Sequence, residues 1–384
     1  MTHPGIAIVR ELLGDSRLQA SSIEERRAGL EAMTGAQPAP EGVVVEAIEL
    51  AGRPAERLRP AAGSIDDAVV LYLHGGGYVS GSPQTHRTYA GNLALGAGAS
   101  VVTLDYRLGP EDPFPAGLND ALLAFDQLAP ARVAIAGDSA GGGLTLATAV
   151  ALRDRGAAMP VALLLVSPWT DLTQSAPSYE AKADEDPMLT AESLTQMAEA
   201  YLAGADPRTE LASPLRADHA GLPPTRIDVG SAEVLLDDSV VLADRLRAAG
   251  VPVELRAWDE MIHVFPPSRP TCSRGRRGHR PPERLPRPAP RRLSGRRHPS
   301  RSPGSLPDPR FHHARSERRT DPRVLCPIHA PTTHDPSEEP GAGAARAQVR
   351  PRTDSRSAWS VITASPSTWW VPSSGVPGSS KMPA

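Results

Sequence analysis

Lysine is nearly absent: it stands only at Lys182 and Lys381, against abundant arginine, and the formal net charge over 384 residues is −3. So small a balance gives no electrostatic footprint for a polyanionic partner. The arginine bias is what a GC-rich coding sequence produces. Cysteine is as scarce. Cys272 and Cys326 both lie beyond residue 265, so the longer N-terminal body has none and implies no disulfide framework. There is no charged start followed by an apolar signal core, and no run of about 18 apolar residues. Secretion and membrane spanning are therefore not expected, and the cytoplasm is the expected location.

Two short strings carry the chemistry. Val133-Ala134-Ile135-Ala136 is an apolar strand running into Gly137-Asp138-Ser139-Ala140-Gly141 and then into a helical stretch. This is the pattern of a nucleophile elbow, a strained strand-to-helix turn that lifts a serine hydroxyl out of the sheet. The flanking glycines are required because the turn brings backbones too close for side chains. A chance G-x-S-x-G is common, so the second string decides. Ala68 to Leu73 is another buried strand, ending in His74-Gly75-Gly76-Gly77-Tyr78. A loop of this kind turns its N–H groups toward a ligand, and Gly76, Gly77 and Ala140 are assigned as an oxyanion hole. A phosphate loop fits less well: no Walker lysine follows, nor any G-x-G-x-x-G opening a helix.

With these strings go Asp105-Tyr106-Arg107-Leu108-Gly109-Pro110-Glu111, Pro113-Phe114-Pro115-Ala116, Ser167-Pro168-Trp169-Thr170-Asp171 and Met261-Ile262-His263-Val264. From about Pro40 to Phe265 the chain resembles the hormone-sensitive lipase family of α/β-hydrolases, its bacterial carboxylesterase branch. It departs from that family at Gly109, where alanine is usual, and at Gly143, where asparagine is frequent. The resemblance implies a mostly parallel central sheet flanked by helices, with a helical cap built from about residues 1–40 and 174–214. It also implies hydrolysis of short- to medium-chain acyl esters, with no metal or organic cofactor required. Tyr78, Trp169, Met188 and Leu189 are the expected pocket walls. Alternatives are an ε-lactone hydrolase with the same triad, a non-catalytic binder, and an inactive product of a damaged gene. Members of the family often pair through the last strand, so a homodimer is one expectation.

A serine hydroxyl needs a base. His263, on a loop after the strand Val253 to Trp258, is the candidate. His74 reads as structural, tying down the glycine loop, and His86 and His219 as solvent-exposed. Triad order in this fold is serine, acid, histidine, which points past the strand Arg226 to Gly230 to Glu233, Asp237 or Asp238. Glu233 is preferred because its distance from His263 looks like the family's acid-to-histidine spacing, although most relatives carry aspartate there. Asp237 is the alternative acid. Asp237 and Asp238 also open the next helix, where carboxylates cap free N–H groups.

The rest of the body alternates apolar strands with helical stretches at Thr85–Leu95, Ala116–Leu128, Gly142–Arg155 and Val240–Ala249, an α/β pattern. Two short helices are expected within Ile6–Met33, a first strand over Val43–Leu50, and a helix over Ala191–Leu202. The body, residues 1–266, suits one hydrolase domain. Beyond it, Arg, Pro, Ser, Gly and His dominate and cannot build a core, so residues 267–384 read as a disordered tail. Its Arg-rich stretches show no nucleic-acid motif. Permitted codons for Arg276 to Pro286, read one base later, encode Asp-Glu-Ala-Ile-Asp-Arg-Leu-Ser-Ala-Phe-Leu, an amphipathic helix ending like the closing helix of the resembled esterases. A frameshift between His263 and Arg276 is the expectation that follows, and the coding DNA tests it.

Overall fold

The sheet opens with a hairpin. Val43–Leu50 (β1) and Arg53–Pro60 (β2) run antiparallel, joined through Ala51 and Gly52 at φ 53° and 73°. Positive φ at both central residues marks the primed turn whose twist matches its strands. There follow Ile65–Leu73 (β3), Ala99–Leu104 (β4), Arg132–Asp138 (β5), Leu163–Val166 (β6), Thr225–Gly230 (β7) and Val253–Trp258 (β8). The spatial order is β1-β2-β4-β3-β5-β6-β7-β8. β2 meets β4 antiparallel, and every pair from β4 to β8 is parallel. This computed structural model describes residues 22–35, 37–129 and 131–265, with Ile6, Arg10 and Glu11 ahead of them. The tail, its frame and the closing helix lie outside the described residues.

The parallel strands are apolar on both faces because both faces are covered. With side chains alternating along a strand, Leu71, Leu73, Ile135, Leu163 and Leu165 enter one core cluster, and Val70, Tyr72, Ala134, Ala136, Leu164 and Val166 the other. Helices Ile23–Leu30 (α1), Arg87–Ala97 (α2), Ala116–Leu128 (α3), Ala140–Asp154 (α4), Ser178–Ala181 (α5), Ala191–Leu202 (α6) and Leu236–Ala248 (α7) complete the order. α3, α4 and α7 pack on the first face; on the second, the buried helical residues among those described come from α2 alone. The expected α/β organisation holds, and α3 and α6 take the expected bounds. α2 lies two residues later than expected, and α4 and α7 begin earlier. Of the two helices expected within Ile6–Met33, α1 is the second; its Ser22 and Glu25 form a capping box. Among the described residues no helix is long and apolar enough to cross a membrane.

Candidate active site

Ser139 sits between β5 and α4 at φ 51°, ψ −122°, a conformation that costs a non-glycine residue energy and persists only where its surroundings impose it. They do. The Ser139 N–H donates to Val166 O at 2.9 Å, and the Trp169 N–H donates to Ser139 O at 2.9 Å. A Cβ on Gly137 would lie 2.3 Å from Gly141 O, and one on Gly141 would lie 2.0 Å from Leu73 O and 2.5 Å from His74 O. The glycines let the elbow close against β3 and the loop that follows it.

In that loop Gly76 and Gly77 take φ 118° and 66°. A Cβ on Gly76 would meet Ser80 O at 2.1 Å. Among the described residues the N–H groups of Gly76, Gly77 and Ala140 donate to no protein acceptor. Behind them, Asp138 clasps elbow and loop together: its Oδ1 accepts the Tyr72 hydroxyl at 2.5 Å and the Gly75 N–H at 3.0 Å, and its Oδ2 lies 3.4 Å from His86 Nε2. Burial opposes the Asp138 charge, but the charge and hydrogen bond of His86 and the Tyr72 hydroxyl hold its pKa below the ordinary value. Burial likewise works against the His86 cation, and Asp138 overcomes it, raising that pKa. His74, buried and stacked on Tyr106 at 4.3 Å, is pushed down to about 3, chiefly by burial. Its Nδ1 lies 2.8 Å from Gly75 O, in keeping with a structural role.

At the C-terminal ends of β7 and β8, Glu233 and His263 meet. Glu233 Oε2 is 2.8 Å from His263 Nδ1, with both residues buried. Glu233 Oε1 accepts the Ser167 hydroxyl at 2.7 Å and the Gly230 N–H at 2.5 Å. Burial disfavours the His263 cation, yet the Glu233 hydrogen bond and charge outweigh it, so the pKa is raised. Among the described residues no hydrogen bond joins the Ser139 hydroxyl to the His263 ring; residues 166–169 bond to the Ser139 backbone, and the Ser167 hydroxyl bonds to Glu233 and to the Val264 N–H.

The α/β-hydrolase fold family matches residues 70–267. An acetyl-hydrolase of Streptomyces hygroscopicus is 42% identical over 286 residues, 72% of this chain and 94% of that protein. Carboxylesterase NlhH of Mycobacterium tuberculosis is 39% identical over 213 residues, 51% of this chain and 66% of its own. Among solved structures, an esterase from the bacterial hormone-sensitive lipase family is 41% identical with a TM-score of 0.66, covering 69% of this chain and 91% of that one. The chain belongs to the hormone-sensitive lipase family of α/β-hydrolases. It is a carboxylic ester hydrolase. A further family structure, of EstE5 (40% identity, TM-score 0.65, 69% and 91% covered), was soaked with p-nitrophenyl butyrate.

Several features of this hormone-sensitive lipase relative differ from expectation. His219 is buried, its Nε2 3.0 Å from Pro214 O, and His86 is half-buried against Asp138 rather than solvated; polar neighbours in sequence do not report what folds over a ring. Neither Asp237 nor Asp238 caps its own helix. Asp237 accepts the Ser178 N–H at 3.0 Å, and Asp238 accepts the Thr170 and Asp171 N–H groups and the Tyr179 hydroxyl. Of the four expected pocket walls, Trp169 is fully buried beside Tyr78, and Tyr78 and Leu189 are nearly so, which leaves half-buried Met188 the most accessible.

Sequence reasoning missed Asp186, Met197, Tyr201 and Arg27. Asp186, fully buried, accepts the N–H groups of Met188 and Leu189 at 2.8 and 3.0 Å on one oxygen and that of Val234 at 3.0 Å on the other, fastening the 174–214 insertion to the turn bearing Glu233. Its signal was legible: an Asp-Pro pair reads as an Asx-type turn. Met197 packs on the glycine loop so closely that a Cβ on Gly77 would lie 2.1 Å from its sulfur. Tyr201 stacks on Tyr78 at 4.0 Å. Arg27 reaches from α1 to Val79 O, Gly109 O and both Glu111 oxygens. The contacts of Met197, Tyr201 and Arg27 join elements distant in sequence and have no local signature.

Proposed function

We propose that the enzyme hydrolyses short- to medium-chain acyl esters through an acyl-enzyme on Ser139. His263 takes the Ser139 proton as the hydroxyl attacks the ester carbonyl, and the tetrahedral oxyanion accepts hydrogen bonds from Gly76, Gly77 and Ala140 N–H. The His263 imidazolium, supported by Glu233, then protonates the departing alcohol, and water enters by the reverse steps to release the acid. In an unliganded site the serine-to-histidine contact is often long and tightens with substrate. The observation that carries the reading is the buried 2.8 Å Glu233–His263 hydrogen bond at the strand ends. The strained serine and the three unspent N–H groups support it. Each oxyanion donor is worth about 3 kcal/mol of barrier.

The 174–214 insertion with α1 serves as the cap. Supporting this, Met197 rests on Gly77, Tyr201 on Tyr78, and Arg27 binds the loop beyond the glycines. This packing of bulky groups over the glycine loop supports the short- to medium-chain reading.

The test is hydrolysis of p-nitrophenyl acetate, butyrate, octanoate and palmitate by the full chain and by Ser139→Ala. Activity that peaks at the short esters and vanishes with Ser139 is expected. Retained activity in Ser139→Ala overturns the mechanism, and a maximum at palmitate overturns the chain-length assignment. An ε-lactone in the same assay tests the lactonase alternative.

A further inference from the structure

Outside the three side chains given chemical roles, one hydroxyl touches the segments bearing two of them. Ser167 follows β6, is fully buried, and holds φ 46°. Its Oγ donates to Glu233 Oε1 at 2.7 Å and accepts the Val264 N–H at 3.1 Å, next to His263. With the Gly230 N–H also on Oε1, that oxygen is occupied and Oε2 is left to His263 Nδ1. Glutamate has one more rotatable bond than aspartate, so its carboxylate must be fixed from behind before it can fix anything else. The neighbours of Ser167 reach the third member: Val166 O receives the Ser139 N–H, and the Trp169 N–H is given to Ser139 O. Residues 166–169 thus touch the nucleophile, the acid and the residue that follows the base.

Resting on the triad proposed above, we infer that Ser167 is a positioning residue for ester hydrolysis, its hydroxyl holding Glu233 in the rotamer that orients His263 and tying the histidine loop to the acid. The alternative is that a buried serine at positive φ merely serves the backbone. The two differ in what glycine does there. Glycine suits φ 46° better than serine or alanine but offers no hydroxyl.

The experiment compares Ser167→Ala, Ser167→Gly, Glu233→Ala and the double variant Ser167→Ala with Glu233→Ala in the full chain. kcat is expressed per active site titrated by the p-nitrophenyl acetate burst. Ser167→Ala and Ser167→Gly are both expected to lose about 10- to 100-fold in kcat, the range for one hydrogen bond to a charged group, with KM within about twofold. In the Glu233→Ala background the serine change is expected to cost nothing further, because its effect passes through that carboxylate. Wild-type kcat in Ser167→Gly overturns the inference, as does full additivity in the double variant. If Glu233→Ala is crippled while both Ser167 variants keep kcat, the inference fails and the triad stands; if Glu233→Ala itself keeps kcat, the triad fails and takes the inference with it. Should Ser167→Ala not fold, Ser167→Gly carries the comparison.

Discussion

Asp238 offers a quantitative test of what burial does to a carboxylate in this protein. It is fully buried in α7, and its oxygens receive the Thr170 N–H at 2.7 Å, the Thr170 hydroxyl at 3.2 Å, the Asp171 N–H at 3.0 Å and the Tyr179 hydroxyl at 3.0 Å. Desolvation outweighs these donors and pushes its pKa up from 3.8 to about 7. An acid whose folded pKa is raised binds its proton more tightly folded than unfolded, so the contribution of Asp238 to stability is fully present below pH 4 and is lost as pH rises toward 7. The difference of roughly 3 pH units, at about 1.36 kcal/mol each, predicts a loss of about 4 kcal/mol across that window. Asp238→Asn removes the charge while keeping the shape: its amide oxygen accepts the two backbone N–H groups, and its amide nitrogen donates to the Tyr179 oxygen. Urea unfolding at pH 5, 6, 7 and 8 is expected to show the variant gaining on wild type with each step, by about 2–4 kcal/mol at pH 8. Other groups that titrate on folding, His86 and His263 among them, are common to both proteins and cancel. Parallel pH profiles, or a variant less stable at pH 8, would refute the reasoning and show that the four donors win over desolvation.

Gly141→Ala forces a Cβ against Leu73 O and His74 O; a cost of about 1–3 kcal/mol and a kcat at least about tenfold lower are expected, since the Ala140 N–H must move, and unchanged melting and kcat would contradict the geometry. Because the His263 pKa is raised and the base must be neutral, kcat/KM should fall as pH drops through a midpoint above 6.5, and Glu233→Gln should move that midpoint down while reducing kcat by up to about 10⁴; a midpoint unmoved in that variant counts against Glu233. Asp186→Ala leaves three N–H groups, those of Met188, Leu189 and Val234, without their acceptor, and a loss of about 3–5 kcal/mol in urea titration is expected; a loss below about 1 kcal/mol would mean that water replaces the carboxylate.

Much of the fold was legible because its strands and helices carry their own periodicity. Val253–Trp258, Ala116–Leu128 and Ala191–Leu202 keep the bounds their patterns suggest. β2 was not legible. Its row of Arg53, Glu56, Arg57 and Arg59, interrupted by Pro54 and closed by Pro60, shows no apolar alternation, and it is a strand because β1 and β4 flank it and Arg87 neutralises buried Glu56. At the site, the strings around Ser139 and the glycine loop are local and were readable, whereas the choice among Glu233, Asp237 and Asp238 was not settled by spacing, since all three lie within six residues of one another. What separates them is which partner each carboxylate meets: His263, Ser178, or the Thr170–Asp171 backbone.

The fastening of the 174–214 insertion has a consequence for protein engineering. Ser178, Tyr179 and Asp186 on the insertion are matched with Asp237, Asp238 and Val234 on the segment that follows β7. A chimera that imports another esterase's insertion to change substrate range, cut at residues 174 and 214, therefore severs a set of reciprocal partners lying on both sides of the cut. The natural unit of exchange is longer: it runs through Asp238, so that grafted walls arrive together with the carboxylates that seat them.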